Sequence, residues 1–467
     1  MEKKLKDLIP TRRDVLKFGG LALASTCVDR IARPLKVQAA GKANPRGSAR
    51  NCLFMLLGGA MSQVDTWDFK ESRATPKDLD VQKVPNFPDL YMSKTLFPTL
   101  GQEMHRISLV RSMKANALNH VNAQYHIQAG RAMAAIATEI PAFGSIIAYE
   151  MEKYRKPTDT FPTYISTYLS ETRVALASGF LPARFTGLNL NPLTAIEAFG
   201  NKGDGMKQLL QDRFGLLSTL AQVSQAERSS LGSKADAYHG FSHDAYQLLN
   251  DPRWTAVFTA TDEEKNRYGK DEFGLGCILA RNILAQDAGT RFIFLNDGDK
   301  WDHHIDIFNK KKKVNHYYTC NRLDKGLISL IRDMSTIPGK EPGKSLLDET
   351  LIVLTSEFGR TPDLNPVQGK DHCNLAFTAG FLGGGVKGGR IIGKTDEKGG
   401  KVVETGWKHK EQPFPDNLVA TIYSALGIDW SKAVANTPSG REYRYVQNAP
   451  LGMSEFISDD EISELFE

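Results

Sequence analysis

The chain has 467 residues, of which 41% are hydrophobic and 24% are charged. This composition is typical of globular proteins and excludes an extensively disordered chain. The longest apolar runs stay below eighteen residues, so the sequence predicts no transmembrane span.

The formal net charge of +5 belongs to the amino terminus. The first 40 residues hold nine of the 59 basic and four of the 54 acidic residues, which leaves 50 of each in the remainder. A balanced chain gives no electrostatic reason to expect nucleic acid as a partner. The five cysteines lack a C-x-x-C spacing, which argues against a zinc ribbon or a redox pair.

Residues 1–40 have the order of features of a twin-arginine export signal. Three lysines precede Arg12-Arg13, a weakly apolar stretch follows, and Val37-Gln38-Ala39-Ala40 offers a small-residue cleavage site. The alternative is a basic amphipathic helix with a chance arginine pair. We expect residues 1–40 to be a signal peptide read by the twin-arginine export machinery, residues 41–467 to form the mature domain, and the location to be periplasmic or extracytoplasmic.

Short apolar runs followed by glycine or polar loops predict buried strands in the mature chain. Helical patterns separate them, so we expect a mostly parallel sheet covered on both faces, an α/β fold. Residues from about 195 to 265 are richer in Gln, Ser, Ala and charge and are predicted to be a helical insertion. The predicted strands are 51–57, 107–110, 291–295 and 350–355, and the predicted helices are about 123–135, 273–286, 317–334 and 416–426.

Polar residues follow these strands repeatedly, and the carboxyl ends of strands are where α/β sheets bind ligands. The carboxylates and imidazoles among them suit zinc, manganese, magnesium or calcium. Any one of these residues alone could be a turn or helix-capping residue. The predicted metal ligands are Asp65, Asp302, His304, Glu357 and His372.

The chain resembles the exported proteins of domain-of-unknown-function family 1501, which are placed in the alkaline phosphatase and sulfatase superfamily. The resemblance covers nearly all of the mature chain and rests on an ordered series of segments. It implies a three-layer αβα sandwich with metal held at the strand ends. The segments are LLGGAMSQVDTWDFK, LVRSMKANALNHVNAQYHIQAGR, SGFLPARFTG, WDHHIDIFN, SEFGRTPDLN, GKDHCNLAF and LGGGVKGGRIIGKTD.

The resemblance also implies roles for individual residues. Asp65 matches the carboxylate after the first strand, Asp302 with His304 or Asp306 matches an Asp and His that hold one metal, Glu357 falls where the phosphatases place an Asp, and His372 matches the late metal-binding His. Arg360 resembles the arginine that holds phosphate or sulfate, with a salt bridge to Asp363 or Asp371 as the alternative.

Two departures from the superfamily pattern bear on function. Phe358 replaces a metal-binding His, so we expect one tight metal site and a second that is weak or missing. His120 occupies the place of the nucleophilic Ser, Thr or modified Cys, and a histidine there can be nucleophile, general acid, metal ligand or a supporting group. The two functions left open are a metal-dependent hydrolase of a phosphate or sulfate ester, small or polysaccharide, and a non-catalytic protein that binds metal or carbohydrate.

The export signal yields a direct test. Replacing Arg12 and Arg13 together by Lys should leave the full-length precursor in the cytoplasm, whereas the unaltered protein should start between residues 38 and 45 outside it. Cell fractionation and amino-terminal sequencing measure both. Unchanged export of the double variant would show that another route carries the protein.

Overall fold

Eight strands of the described chain form one central sheet, and seven of them are mutually parallel. In chain order they are β1 (Asn51–Leu56), β2 (Ser108–Met113), β3 (Tyr164–Thr167), β4 (Leu188–Leu190), β5 (Phe292–Asn296), β6 (Thr350–Thr355), β7 (Phe377–Leu382) and β8 (Ile391–Ile392). The spatial order is β8-β2-β7-β6-β1-β5-β3-β4, and β7 runs antiparallel to both of its neighbours.

The computed structural model describes residues 37–39, 43–73, 75–132, 139–167, 178–200, 233–447 and 458–467, with a few single positions between 208 and 215. Nearly all of the predicted signal peptide and the centre of the predicted insertion lie outside these ranges. Of the four residues in the expected cleavage site, Val37–Ala39 form a strand that pairs antiparallel with Lys432–Val434.

Alternate residues of one strand reach opposite faces of the sheet, which produces two separate cores. Leu53 and Met55 belong to one core, and Cys52, Phe54 and Leu56 belong to the other. All five side chains are completely buried, so β1 is covered on both faces. This explains why its sequence is continuously apolar.

Among the described residues, five helices supply most of the cover on the two faces. On the Leu53 face lie α3 (Glu272–Gln286) and α4 (His316–Thr336), and on the Phe54 face lie α1 (His120–Ala129), α2 (Phe143–Met151) and α5 (Pro415–Ala425). The other described helices are Leu100–Glu103, Pro192–Gly200, Ser233–Asn250, Pro252–Val257 and Asp262–Tyr268, and all but Ser233–Asn250 add buried side chains to the core on the Leu53 face. The predicted three-layer αβα sandwich with a mostly parallel sheet is therefore confirmed.

The predicted elements match the structure to within a few residues, with one correction at α1. The helix predicted from about residue 123 begins at His120 and ends at Ala129, where Gly130 adopts a left-handed conformation with φ 63°. Residues 133–135 of the predicted helix lie outside the described ranges. Among the described residues, no helix is both long and apolar enough to cross a membrane. Cys52, Cys277, Cys320 and Cys373 are free thiols.

The glycine-rich segment after β7 lies at the opposite edge of the sheet from the loops that follow β1 and β6. The φ angles of Gly383, Gly384 and Gly385 are 66°, 55° and 86°. Residues other than glycine adopt this left-handed backbone conformation only at a cost in free energy. A Cβ at Gly383 would lie 2.3 Å from the carbonyl oxygen of Thr350, the first residue of β6. The segment is a tight turn rather than part of the predicted site.

A buried histidine makes the stability of this fold depend on pH. His316, the first residue of α4, is completely buried and lies against the rings of Trp301, His303 and Phe308. Burial lowers the pKa of His316 from 6.5 to about 4. As the pH falls, His316 is protonated in the unfolded chain before it is protonated in the folded one. The contribution of the neutral, buried imidazole to the free energy of unfolding is therefore complete above pH 6.5 and is lost as the pH falls towards 4.

We expect His316→Phe, which keeps the aromatic contacts, to reduce the loss of unfolding free energy between pH 7 and pH 4.5 by on the order of 2 kcal/mol. Urea unfolding at the two pH values measures it. Replacing the exposed His105 by Phe serves as the control and should leave the difference unchanged. An equal acid loss in the His316 variant and the unaltered protein would contradict the assignment.

Candidate metal centre

The loops that follow the parallel strands meet at one edge of the sheet. His120 begins α1 after β2, Asp302 and His304 follow β5, and Glu357 follows β6. His372 precedes β7, and because β7 is antiparallel its beginning lies at this same edge. The topology therefore brings together side chains that are far apart in sequence.

Four ligand atoms from these loops converge on one point. They belong to His120, Asp302, His304 and His372, and all lie within 4.8 Å of one another. The Nε2 atoms of His304 and His372 are 2.8 Å apart. The Oδ1 atom of Asp302 lies 3.3 Å from His120 Nε2 and 3.2 Å from His304 Nε2. Three imidazoles and one carboxylate are a ligand set typical of zinc.

The second nitrogen of each of these imidazoles has its own acceptor. Nδ1 of His120 lies 2.7 Å from Glu357 Oε1, Nδ1 of His304 lies 3.3 Å from Asp371 Oδ1, and Nδ1 of His372 lies 2.5 Å from the carbonyl oxygen of Leu118. These acceptors favour a hydrogen on each Nδ1 and direct each Nε2 atom at the centre. Metal-binding histidines are commonly oriented in this way.

This geometry fits a bound cation. Acceptor lone pairs that face one another across 2.8 Å repel unless a proton or a metal lies between them. Burial lowers the pKa of His120, but the hydrogen bonds with Asp302 and Glu357 outweigh burial and raise it to about 9, so in the absence of a metal a proton on Nε2 supplies the positive charge that the centre favours. Burial raises the pKa of Asp302, and the bonds with His120, His372 and Arg360 reverse this and lower it. The pocket thus retains positive charge next to an ionised carboxylate.

Glu357 supports the centre from behind. It is completely buried, and its Oε1 atom accepts hydrogen bonds from the Gly59 backbone N–H at 2.9 Å and from Gln124 Nε2 at 3.0 Å, besides that of His120. Burial raises the pKa of this carboxyl, and the bond from His120 outweighs it and lowers it. Glu357 is therefore an ionised group that fixes the His120 ring.

Glu357, His120 and Asp299 also form a second group of neighbouring ligand atoms. His120 cannot serve both groups with the same nitrogen, since Nε2 faces Asp302 and Nδ1 faces Glu357. Gln124 Nε2 bridges Asp299 and Glu357. This second group reads as hydrogen-bonded support for the first.

Arg360 takes a different place from the one predicted. Its guanidinium is buried and donates to the backbone oxygens of Gly59, Ala60 and Lys370, to Asp302 Oδ1 at 2.5 Å, and to His304 Nε2 at 3.2 Å. These bonds use all five of its N–H groups. In this structure the donors of the arginine that was expected to hold an anion are all engaged within the protein, and its salt bridge is to Asp302 rather than to Asp363 or Asp371.

Asp65 is outside both groups of ligand atoms. Its Oδ2 atom accepts hydrogen bonds from Lys370 Nζ at 2.6 Å and from Ser62 Oγ at 2.5 Å, and all three side chains are buried. Burial raises the pKa of this carboxyl, and the Lys370 ammonium outweighs burial and lowers it. The cation that pairs with Asp65 is therefore the ammonium group of Lys370 and not a metal.

Close backbone contacts hold the loops of the centre in place. A Cβ at Gly59 would lie 2.6 Å from the Asp302 nitrogen, and one at Gly369 would lie 2.0 Å from the carbonyl of His304. Phe358 is completely buried, with its ring 4.5 Å from that of His372 and 5.0 Å from that of His120. Phe358 stands where the family resemblance leads one to expect a metal-binding histidine. Its ring instead gives an apolar backing to the imidazoles of His120 and His372.

The structure thus brings together His120, Asp302, His304 and His372, places Glu357 and Arg360 one contact behind them, and leaves Asp65 outside both groups of ligand atoms. Sequence reasoning missed Gln124, Asp299 and Asp371. The adjacency of Asp371 to His372 in the GKDH segment was a usable signal for it. Nothing in the sequence separated Gln124 from an ordinary helical glutamine.

Comparison with known proteins bears on the family. The model of the family described as "Protein of unknown function (DUF1501)" matches residues 49–451. The chain belongs to the DUF1501 family. No curated protein matches the sequence.

Similar solved structures share low sequence identity with this DUF1501 protein. A protein in the alkaline phosphatase superfamily from Vibrio parahaemolyticus is 12% identical, with 95% of this chain and 81% of that chain covered and a TM-score of 0.39. A PsFucS1 sulfatase from Pseudoalteromonas sp. is 11% identical, with 89% and 73% covered and a TM-score of 0.38. The C-terminal periplasmic domain of EcEptC from Escherichia coli, in complex with Zn, is 10% identical, with 93% and 99% covered and a TM-score of 0.35.

The geometry predicts one tight metal site per chain. Titration of the metal-free DUF1501 protein with Zn²⁺ against a competing chelator should show one equivalent bound tightly. Glu357→Gln should weaken binding by about 10- to 100-fold, because the carboxylate that orients His120 and raises its basicity is lost.

Asp306→Asn is the matched control, since Asp306 lies two residues from His304 but outside both groups of ligand atoms. Its zinc affinity should equal that of the unaltered protein. Two equally tight equivalents, or an unchanged affinity in Glu357→Gln, would refute the site as drawn.

Proposed function

We propose that this DUF1501 protein is an exported, metal-dependent hydrolase of a phosphate or sulfate ester. The observation that carries the proposal is the convergence of three imidazole Nε2 atoms and the Asp302 carboxylate at the carboxyl edge of the sheet. His120, Asp302, His304 and His372 would hold one divalent cation. Such a cation polarises an ester oxygen and lowers the pKa of water, which is the chemistry that hydrolysis requires.

The donor set favours zinc among the metals considered. Magnesium and calcium prefer oxygen ligands, whereas three of the four atoms here are imidazole nitrogens. The site also faces solvent on one side, because the side chains of His304 and Asp302 are 39% and 31% exposed. Structural zinc sites are commonly closed, and an approach from solvent is what a substrate needs.

The start of α1 supplies a place for the substrate's anionic group. The first N–H groups of a helix have no acceptor within the helix. Asn119 caps α1 by accepting from the Asn122 N–H at 2.9 Å, and its carbonyl accepts from Ala123. The N–H groups of His120 and Val121 have no acceptor within the helix, and the helix dipole would favour a negative ligand there.

The residues of the chain would then act in distinct ways. The α1 amides orient the anionic group, Glu357 keeps the His120 ring aligned, and Arg360 holds the Asp302 carboxylate in place. His120 is assigned as a ligand and not as a nucleophile, because both of its nitrogens already face partners.

A second function is favoured by two of the same observations. His120 replaces the nucleophilic hydroxyl that the resemblance implies, and Arg360 has all five N–H groups engaged. A protein that binds metal or carbohydrate without catalysis would keep the ligands and lose these two reactive features. Turnover at full metal content separates the two functions.

The export part of the proposal rests on Arg12-Arg13 and on the small residues at 37–40. The strand formed by Val37–Ala39 would leave its partner Lys432–Val434 when the signal is cleaved.

Zinc-loaded mature protein should hydrolyse an aryl phosphate or an aryl sulfate ester. His372→Ala and Asp302→Asn should each lower kcat/KM by at least about 100-fold together with the zinc content, because each removes a ligand. Asp306→Asn is again the control and should retain both. Full zinc content without hydrolysis of either aryl phosphate or aryl sulfate esters would rule out the hydrolase and favour the binding function.

A further inference from the structure

The segment that carries two of the metal ligands also carries the longest basic run of the chain. Four consecutive lysines, Lys310–Lys313, here called the lysine loop, lie between β5 and α4, as do Asp302 and His304. The chain beyond residue 40 has 50 basic and 50 acidic residues, so this positive charge is a local feature. Such a run either is solvated or binds a polyanion, and its surroundings decide between the two.

A direct contact places the lysine loop beside the metal centre. Lys312 Nζ donates to the Ile305 carbonyl at 2.8 Å, and Ile305 follows the ligand His304 directly. Ile305 in turn pairs with Gln368, four residues before the ligand His372. The lysine loop is therefore fixed to the same backbone that carries His304.

Hydrogen bonds hold the lysine loop in one shape. Asn309 accepts from the Lys311 N–H through Oδ1 at 3.0 Å and from the Lys312 N–H through its carbonyl at 3.1 Å. The His316 N–H donates to the Ile307 carbonyl at 3.0 Å and closes the loop at its base. An ordered backbone loses little entropy when a ligand binds, so the loop is prepared for binding.

Nearby carboxylates neutralise only part of the charge of the lysine loop. Lys310 pairs with Asp78, and Lys312 lies 3.7 Å from Asp306. The other two lysines of the run are exposed, and within the described chain they have no carboxylate partner. Two positive charges are thus available to a ligand, and at physiological ionic strength they act over about 8 Å.

We infer that the lysine loop binds further anionic groups of the substrate, so that the ester belongs to an acidic polysaccharide with anionic groups repeated along its chain rather than to a small monoester. The inference rests on the proposed function, which places one ester group at the metal and at the start of α1. That group satisfies the metal, and the charges of the lysine loop are left for neighbouring groups of a longer substrate.

Exposed carboxylates beside the lysine loop favour a single chain over a flat anionic surface as the ligand. Asp306 is 39% exposed and lies next to Lys312, and Asp371 is 58% exposed and lies 3.3 Å from the His304 ring. A lipid membrane would bring its negative charge against these carboxylates as well as against the lysines. A flexible chain can follow the lysines and avoid the carboxylates.

Dextran sulfate tests the inference by binding alone, without turnover. Isothermal titration of zinc-loaded mature protein at several salt concentrations gives its affinity, and uncharged dextran, which has the same sugar backbone, should not bind. Replacing Lys311 and Lys313 together by Gln should weaken dextran sulfate binding on the order of 10-fold, because two contacts that release counterions are lost. The slope of log affinity against log salt should fall by roughly one to two.

Lys340→Gln together with Lys387→Gln is the matched control. It removes the same charge from two exposed lysines at the opposite edge of the sheet, one before β6 and one in the turn after β7. Affinity and salt slope should match those of the unaltered protein. The zinc content of both double variants checks that the centre is intact.

The outcomes separate this inference from the proposed reaction. Unchanged affinity and salt slope in the lysine-loop variant overturn the inference, while hydrolysis of small esters can still stand. An equal loss in the control variant also overturns it, because the attraction would then belong to the whole surface. Lysine-dependent binding in a protein that hydrolyses no ester supports the polysaccharide site and overturns the reaction. Anionic vesicles or duplex DNA that bind more tightly, with the same dependence on the two lysines, would overturn the choice of a polysaccharide.

Discussion

One buried guanidinium holds together the loops that form the centre. Arg360 reaches the loop after β1 through the carbonyls of Gly59 and Ala60, the loop after β5 through Asp302, and the segment before β7 through the carbonyl of Lys370. A buried charge is tolerated only when its hydrogen bonds are complete, so these loops have one arrangement that satisfies it. A lysine could not replace it, because a point charge with three donors cannot reach five acceptors in a plane.

The sheet follows from a simpler rule, which is why much of it could be predicted. A strand buried on both faces must be apolar at every position, and the runs 51–57, 107–110, 291–295 and 350–355 show this directly. The strands that were missed carry less information. Tyr164–Thr167, Leu188–Leu190 and Ile391–Ile392 have four, three and two residues, which is too short for a clear pattern. Phe377–Leu382 contains Thr, Ala and Gly, and only its neighbours β2 and β6 make it a strand.

The same distinction applies to the centre. That polar residues after strands meet at one edge is a property of topology, so the gathering of Asp302, His304, Glu357 and His372 could be predicted from their positions alone. What each one contacts is a property of packing. Asp65 pairs with Lys370 across 305 positions of sequence, and no local pattern reports such a contact. The sequence likewise did not show that His303, next to His304, lies in the core against the His316 ring.

The hydrogen bonds that orient the imidazoles differ in length and burial, so a cation would act differently at His120 and at His304. The His120 ring is fixed by a completely buried carboxylate, whereas the carboxylate beside His304 is 58% exposed and its bond is longer, 3.3 Å against 2.7 Å. His304 Nε2 also accepts an N–H from Arg360 at 3.2 Å. A cation at His304 uses the lone pair that accepts this N–H, since one lone pair cannot serve both. Metal binding would therefore free one donor of an otherwise saturated guanidinium at the place where an anionic ligand arrives. Arg360 can therefore have all its donors engaged in the metal-free protein and still hold an anion in the metal-bound one, because a metal at His304 would release one of its N–H groups.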